Sequence, residues 1–224
     1  MDDETKNLLE ESYDVAIIGA GPTGLMLAKH LEKSNLKVVL VEKKDKIDSC
    51  HAGIYGAVRE PIERLGLSEF VKKYYTGIQV YGIKKYTSFF FEDKPFVAVD
   101  LNKWAQSLTF KCDVKTGTTI SRIEKIKDGN VLFESTGKSF SARLVVDCSG
   151  YSQQFSSMTG MKKTNRTFLN VSFELSNCSI PKSRTNEVAI LVDHVHSSYG
   201  LWIYMYNEKE CQFGMGDMVN SVDV

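Results

Sequence analysis

Apolar residues follow two periodicities near the start of the chain. An unbroken apolar run over residues 13–18 predicts a strand that is buried on both faces. Leu25, Ala28 and Leu31 then recur at helical spacing, and residues 37–41 form a second apolar run. These three segments predict a strand–helix–strand unit of about thirty residues with parallel strands.

Later segments favour strands over helices. The pattern predicts a helix over residues 56–65 that stops at Gly66, and a short helix over residues 102–108. Alternating and β-branched runs predict the remaining strands, at 78–83, 86–91, 96–99, 118–127, 131–134, 143–146, 167–175, 187–192, 200–206 and 211–215. Asp128-Gly129 between two of these runs indicates a hairpin within a β-meander. The predicted fold class is therefore α/β, with a doubly wound parallel sheet, a β-meander and a partial antiparallel β-rich domain.

Composition and charge exclude several classes of protein. The 28 basic and 28 acidic residues balance, which gives no electrostatic footprint of a nucleic-acid binder. Residues 1–12 are acidic and polar, so they predict a flexible lead-in and not a secretory signal. No run approaches the roughly 18 apolar residues of a membrane span. Five widely spaced cysteines and four scattered histidines predict reduced thiols in a cytoplasmic protein without a metal site.

A glycine motif follows the first predicted strand and opens the first predicted helix. Gly19 permits the tight turn, Gly21 lets the backbone approach a pyrophosphate, and Gly24 lets the helix lie close to the strand. Proline suits the first helical position, where its missing N–H costs nothing. The predicted cofactor-binding loop consists of Gly19, Ala20, Gly21, Pro22, Thr23 and Gly24.

An acidic residue at the end of the second strand completes this motif. Glu42 lies 18 residues after Gly24 and is followed by Lys43, which we include in the predicted site. A carboxylate at this position accepts hydrogen bonds from a ribose diol and repels a 2′-phosphate. The motif therefore predicts an adenine dinucleotide and disfavours NADP, while NAD and FAD both remain open.

The segment after the meander, ARLVVDCSG at residues 142–150, favours FAD over NAD. It resembles the FAD-dependent oxidoreductases of the glutathione-reductase-like superfamily, in the branch of flavin monooxygenases, lycopene cyclases and geranylgeranyl reductases. In that branch a similar V-V-D-A-x-G segment packs beside the glycine loop and contributes to the FAD site. Asp147 and Gly150 occupy its acid and glycine positions, although the same residues also suit an ordinary turn after a core strand.

The resemblance implies a domain organisation with FAD as the cofactor. It covers residues 13–152 well and the remainder loosely. We expect an FAD-binding Rossmann-like domain over 13–75 and 100–155, and a partial substrate domain over 76–99 and 156–224. The family's third FAD segment is missing, because Gly216-Asp217 is followed by no glycine-rich helix start. We therefore expect residues 214–217 to end a strand and the FAD domain to be incomplete at its C-terminus.

Two residues near the second strand have candidate roles from the resemblance. Cys50 stands where geranylgeranyl reductases carry a Cys-x-Gly-type segment near the flavin, so it is a candidate for delivering or positioning a proton. Its alternative role is that of a small buried hydrophobe. Arg59 is a candidate to approach the FAD phosphates from the following helix, or else a solvated helix charge.

An aromatic strand near the C-terminus resembles the reductases' Tyr-x-Trp-x-Phe-Pro motif, which lines a lipid pocket. Trp202 and Tyr204 match its Trp and Phe, whereas Gly200 and Met205 depart from its Tyr and Pro. Alternation places Trp202, Tyr204 and Tyr206 on one face of the strand. These residues therefore predict either a substrate-pocket wall or a packed aromatic sheet core.

The activity that the resemblance implies is reduction of alkenes in an isoprenoid or other apolar substrate. The electron donor expected for such a flavoprotein is NAD(P)H or ferredoxin, and association with a membrane surface stays open. A flavin monooxygenase or halogenase-like enzyme is the alternative, although residues 45–56, DKIDSCHAGIYG, lack the Arg-rich loop of many monooxygenases. An inactive FAD-binding fragment that needs a partner chain is a further alternative.

Overall fold

The computed structural model describes residues 11–48, 53–82, 84–150, 155, 158–160, 166–192 and 200–220. Contacts divide the chain into two compact units. The first unit comprises Met1–His51 and Ala105–Lys163, and the second comprises Ala52–Trp104 and Thr164–Val224.

Strands dominate the described part of the chain. The strands are β1 (Ser12–Ile18), β2 (Val38–Val41), β3 (Ile54–Val58), β4 (Val71–Tyr75), β5 (Gly77–Tyr81), β6 (Tyr86–Phe90), β7 (Phe96–Asp100), β8 (Asp113–Lys115), β9 (Ile120–Ile126), β10 (Gly129–Glu134), β11 (Ser139–Asp147), β12 (Arg166–Leu175), β13 (Glu187–Leu191), β14 (Leu201–Met205) and β15 (Cys211–Asn220). The α-helices are α1 (Pro22–Leu31), α2 (Arg59–Arg64) and α3 (Leu101–Ser107).

The first unit is built on a six-stranded sheet in the order β8-β2-β1-β11-β10-β9. The pairs β8–β2, β2–β1 and β1–β11 are parallel, whereas β11–β10 and β10–β9 are antiparallel. All four residues of β2 are buried, as expected for a strand in the interior of a parallel sheet. The predicted α/β class with a parallel sheet and a β-meander is therefore confirmed.

Strand β11 joins the meander to the parallel sheet. Its first residues, from Ser139 to Ala142, pair with β10, and its residues from Ser141 to Asp147 pair with β1. Only residues 143–146 of this strand were predicted from the sequence. The longer strand is favoured because Phe140 and Ala142 are both buried in the core of this unit.

The second unit contains two sheets. Its larger sheet has the order β12-β15-β14-β13-β5-β6, and its smaller sheet has the order β3-β7-β4. Ile54, Tyr75 and Ala98 of the smaller sheet form one buried cluster with Val188 of β13 and with Tyr206. The predicted antiparallel sheet needs one correction, because β13 pairs with β5 in parallel.

The predicted helix over residues 56–65 was partly wrong. Residues 54–58 form β3, and α2 begins only at Arg59. The structure favours the strand because β3 pairs along its whole length with β7, a tertiary interaction that local helix propensity does not reveal. Strands β4 and β8 were also missed, since their sequences VKKYY and DVK are short and show no apolar alternation.

The boundaries of the compact units differ from the predicted domain boundaries. Residues 53–75 were expected in the FAD-binding domain, but Ala52–Trp104 belongs to the second unit. The reason is strand pairing, since β3 and β4 both pair with β7. Ser12, predicted as part of the lead-in, already belongs to β1, and residues 1–10 lie outside the described residues.

Replacing a core leucine of the first unit should destabilise it. Leu132 on β10 has no exposed surface, so Leu132→Ala should lower the free energy of unfolding by about 2–5 kcal/mol, through lost burial and the cavity left behind. Leu144→Ala is the matched control, because Leu144 is 56% exposed and its truncation should cost under about 0.5 kcal/mol. If urea unfolding showed the same loss of unfolding free energy for both variants, this assignment of the core would be contradicted.

Candidate functional site

Three strand ends meet at one edge of the sheet in the first unit. Strand β1 lies between β2 and β11, and all three run parallel, so their carboxyl ends lie side by side. Gly19 follows β1, Glu42 follows β2, and Asp147 ends β11. Parallel α/β sheets bind ligands in the crevice outside such strand ends.

Two of the three loop glycines are required by close packing. Gly19 has φ +103°, and a Cβ there would lie 2.5 Å from the carbonyl oxygen of Cys148. A Cβ on Gly24 would lie 1.9 Å from the carbonyl oxygen of Gly19. Gly21 differs, because nothing lies within 4 Å of the Cβ position. The loop therefore leaves open space beside Gly21, which is where a pyrophosphate needs to approach the backbone.

Helix α1 presents its N-terminal end at the same edge. Gly21 is its N-cap, Pro22 occupies its first turn, and no acidic side chain lies in that turn. Within the described residues no side chain caps the end of this helix, and Thr23 is exposed there. The positive end of the helix dipole is thus free to attract an anion.

The Glu42 carboxylate is held directly beside the loop. It is half-buried, and its two oxygens accept hydrogen bonds from the Ala20 N–H at 2.7 Å and from the Lys44 N–H at 3.0 Å. These bonds fix the orientation of the carboxylate and leave lone pairs for a further donor such as a hydroxyl. The Lys43 side chain is exposed.

The turn after β11 packs against the glycine loop. The Cys148 N–H donates to the Ile18 carbonyl at 2.8 Å, which extends the β1–β11 pairing into the turn. Asp147 accepts hydrogen bonds from the Ser149 N–H at 2.9 Å and from the Phe155 N–H at 3.3 Å, so its carboxylate stabilises the turn. Gly150 has φ +67°, a left-handed conformation that favours glycine.

The Cys148 thiol belongs to this turn as well. Burial raises its pKa, and the nearby Asp147 charge raises it further. A thiol with a raised pKa is a weak nucleophile near neutral pH. Cys148 therefore serves as a packing residue against Gly24, whose Cβ would lie 3.3 Å from the Cβ of Cys148.

The second unit contains a cavity of about 210 Å³ on the larger sheet. Trp202 and Tyr204 both line it. Both rings approach a glycine closely, since a Cβ on Gly214 would lie 2.3 Å from Cε2 of Trp202, and a Cβ on Gly56 would lie 2.0 Å from the hydroxyl of Tyr204. We call this the ring-floored cavity. Its complete lining is Ile54, Tyr55, Gly56, Asn170, Ser172, Trp202, Tyr204 and Gln212.

The polar side chains that line this cavity were not predicted from the sequence. Gln212 is buried, and its side-chain N–H donates to the Ile54 carbonyl at 3.3 Å. Asn170 and Ser172 reach the same cavity from β12. The register pairs Tyr204 with Gln212 and Gly214 with Ser172, so alternation along these strands could have identified the shared face.

The predicted alternation along the aromatic strand is confirmed. Tyr204 and Tyr206 pack in the cluster with the smaller sheet, while Ile203 and Met205 pack in a cluster on the opposite face. Burial raises the pKa of Tyr204, so its hydroxyl keeps its proton at neutral pH. The hydroxyls of Tyr75 and Tyr206 are buried without a hydrogen-bond partner among the described residues.

One residue of the predicted cofactor site, Arg59, lies outside the first unit. Arg59 begins α2 in the second unit, where its guanidinium donates to the Asp93 carbonyl and lies 3.5 Å from Glu63. These contacts fit the alternative of a structural helix charge. Cys50, the candidate catalytic residue, lies outside the described residues.

No described helix is long and apolar enough to cross a membrane. The described residues also hold no cluster of three or more histidine, cysteine or acidic side chains that could bind a metal ion.

The first unit thus has the fold and loop geometry of a dinucleotide-binding α/β domain. A family model described as "Lycopene cyclase protein" matches residues 14–180. The chain belongs to this lycopene cyclase family, and the resemblance predicted from its motifs is confirmed.

Two curated relatives illustrate the range of the family. A digeranylgeranylglycerophospholipid reductase of Methanococcus vannielii is 29% identical over 175 residues, covering 69% of this chain and 42% of the relative. A chromoplastic capsanthin/capsorubin synthase of Capsicum annuum is 30% identical over 148 residues, covering 64% of this chain and 29% of the relative. The chain therefore spans less than half the length of either relative.

Solved structures share the fold at lower identity. A geranylgeranyl bacteriochlorophyll reductase-like protein of Thermoplasma acidophilum matches with a TM-score of 0.76 and 17% identity, covering 95% of this chain and 57% of that one. Halogenase PltM, solved with phloroglucinol and FAD, matches with a TM-score of 0.67 and 16% identity, covering 95% of this chain and 52% of that one. These matches confirm the fold.

Two alanine substitutions in the glycine loop should differ clearly in their effect on stability. Gly24→Ala places a methyl group against the Gly19 carbonyl and should lower the free energy of unfolding by about 1–3 kcal/mol. Gly21→Ala meets nothing within 4 Å and should change it by less than about 0.5 kcal/mol. Urea unfolding of both variants measures the difference, and a larger loss for Gly21→Ala would contradict the loop geometry.

Proposed function

We propose that this chain is part of an FAD-dependent oxidoreductase that reduces alkenes of an isoprenoid or similarly apolar substrate. The observation that carries the proposal is the meeting of the glycine loop, Glu42 and the Asp147–Gly150 turn at one edge of the sheet. The name of the Methanococcus relative supports a reductase acting on a geranylgeranyl lipid, and the halogenase structure shows a protein of this fold with FAD.

The residues of the first unit fit the adenosine diphosphate portion of FAD. The open space beside Gly21 and the free N-terminal end of α1 suit the pyrophosphate. The Glu42 carboxylate suits the ribose hydroxyls, and its charge opposes a 2′-phosphate. Gly150 and Asp147 stay candidates for contacts with the rest of the cofactor, and Lys43 is an exposed candidate for the adenosine end.

Bound FAD, once reduced, supplies a hydride for an alkene carbon. The contribution of the chain is to bind and orient the cofactor and the substrate and to exclude water. In the second unit, the rings of Trp202 and Tyr204 offer an apolar surface to an isoprenoid chain. The Tyr204 hydroxyl holds its proton and can donate a hydrogen bond within the ring-floored cavity. NAD(P)H or ferredoxin is the proposed electron donor.

A flavin monooxygenase or halogenase-like enzyme is the second candidate. Structural matches to halogenase PltM and to a p-nitrophenol 4-monooxygenase of Pseudomonas putida, the latter with a TM-score of 0.66 and 14% identity, favour it through the fold. Substrate-dependent reoxidation of reduced flavin without oxygen supports the reductase, whereas reoxidation that requires oxygen supports the monooxygenase. A chain that binds FAD and does neither supports the inactive, partner-dependent fragment.

Removing the charge of Glu42 should weaken FAD binding. Glu42→Gln loses a charge-assisted hydrogen bond to the ribose, so the Kd for FAD should rise about 10–100-fold, as measured by flavin fluorescence titration. Glu124→Gln is the matched control, because Glu124 lies on β9 and pairs with Arg122 away from the strand ends. Its Kd should equal that of the unmodified chain.

Gly21→Ala is a second variant for the same FAD titration, and we expect it to keep the fold. Its methyl group occupies the space proposed for the pyrophosphate, so FAD affinity should fall while the unfolding free energy stays constant. A chain that takes up no FAD, or variants at Glu42 and Gly21 that bind FAD as tightly as the control, would overturn the proposed cofactor site.

A methyl group under Trp202 should reduce the space of the ring-floored cavity. Gly214→Ala forces the indole away from the sheet, because the new Cβ would lie 2.3 Å from the ring. We expect the KM for prenyl lipids to rise about 10-fold or more, since misplaced apolar contacts cost about 1–3 kcal/mol, while the Kd for FAD stays the same.

Gly82→Ala is the control for this substitution, since its Cβ would meet only the Lys85 carbonyl oxygen, at 3.4 Å. An unchanged KM in Gly214→Ala, together with normal FAD binding, would show that the cavity is not part of the substrate site. The proposed cofactor site would be unaffected by that result.

A further inference from the structure

Two cysteines of the second unit bring their sulfurs into contact. The Sγ atoms of Cys178 and Cys211 lie 3.7 Å apart, and the two residues are 33 positions apart in the chain. Cys211 begins β15, opposite Leu175 at the end of β12. Cys178 follows β12 by three residues, so the pair lies at the shared end of two neighbouring strands.

Backbone hydrogen bonds hold Cys178 in this position. Its N–H donates to the Lys209 carbonyl at 2.9 Å, and the Ile180 N–H donates to the Glu208 carbonyl at 2.9 Å. The segment after β12 therefore runs alongside the residues that lead into β15. Asn177, with φ +59°, makes the turn that brings the chain there. The contact between the two sulfurs follows from the backbone path on both sides.

The surroundings of the two thiols differ in a way that suits stepwise oxidation. Cys211 is buried beside Ala189 and Met205, whereas Cys178 is half-buried at the edge of the same cluster. Burial, together with the neighbouring Cys178, raises the pKa of the Cys211 thiol to about 11. Cys178 is thus the thiol that a small oxidant reaches first, and Cys211 is the nearby second thiol.

We propose that Cys178 and Cys211 form a reversible disulfide that joins the end of β12 to the start of β15. A disulfide needs a sulfur–sulfur distance of about 2.05 Å, so the sulfurs must approach by roughly 1.6 Å, which is within reach of side-chain rotation. The two strands also carry Asn170, Ser172 and Gln212 of the ring-floored cavity. The bond would therefore fix the strands that line this cavity.

The oxidant is hydrogen peroxide, and the reaction proceeds in two steps. The Cys178 thiolate attacks one peroxide oxygen, the O–O bond breaks, and the departing hydroxide takes up a proton to become water. Cys211 then attacks the oxidised Cys178 sulfur, the S–O bond breaks, and a second water leaves with the Cys211 proton. The two thiols lose two electrons, which the peroxide accepts. A thiol reductant reverses the reaction.

The test is peroxide treatment of the whole chain followed by tryptic mapping under non-reducing conditions. We expect two of the five thiols to disappear and the peptides 167–182 and 210–224 to become linked, with reversal by dithiothreitol. The Tm of the oxidised chain should rise by roughly 5–10 °C, because the cross-link restricts the unfolded state.

Cys178→Ser should abolish both the linked peptides and the rise in Tm, whereas Cys112→Ser, in the first unit, should leave both unchanged. Over-oxidation of Cys178 without a cross-link, or linkage of either cysteine to a different one, would overturn the proposal. Should Cys178→Ser not fold, the peptide map of the unmodified chain decides by itself.

Discussion

Parallel pairing of β1 with β11 is the constraint on which the candidate site depends. It aligns Ser12 with Ser141 and Ile18 with Asp147, so it joins segments that are far apart in the chain. Ordering so long a loop costs entropy, which the burial of apolar residues on both strands offsets. Once the strands are paired, the backbone of Cys148 passes so close to Gly19 that no side chain fits there. The glycine at position 19 is thus required by strand pairing itself, whether or not a ligand binds.

The first unit was largely predictable from the sequence because its signals are local. Apolar runs mark β1 and β2, and glycines mark the loop that follows β1. Glu42 follows β2 at the spacing expected of a dinucleotide-binding strand–helix–strand segment. The position of the Asp147 turn beside the loop was predictable only by resemblance. No local pattern indicates which strand of a sheet becomes the neighbour of another, since pairing is decided by tertiary burial.

The second unit was harder to predict because cross-strand contacts decide its structure. Residues 54–58 become a strand through pairing with β7, although the following residues favour a helix. That the polar residues of the ring-floored cavity share a face can be inferred only from the register of β12, β15 and β14. A shift of one residue in that register would move Gln212 to the opposite face of the sheet. The composition of a single strand does not determine its register with the neighbouring strands.

Glycines that look alike in the sequence have three different functions in the fold. Gly19 and Gly24 allow two stretches of backbone to touch, so a methyl group at either position opposes the fold itself. Gly56 and Gly214 leave room for the rings of Tyr204 and Trp202, so a methyl group there changes the shape of a cavity while the sheet can persist. A Cβ added at Gly21 would meet nothing within 4 Å. The fold therefore explains the glycines at positions 19 and 24 but not the one at position 21, which is why Gly21 is the glycine on which the proposed cofactor site depends.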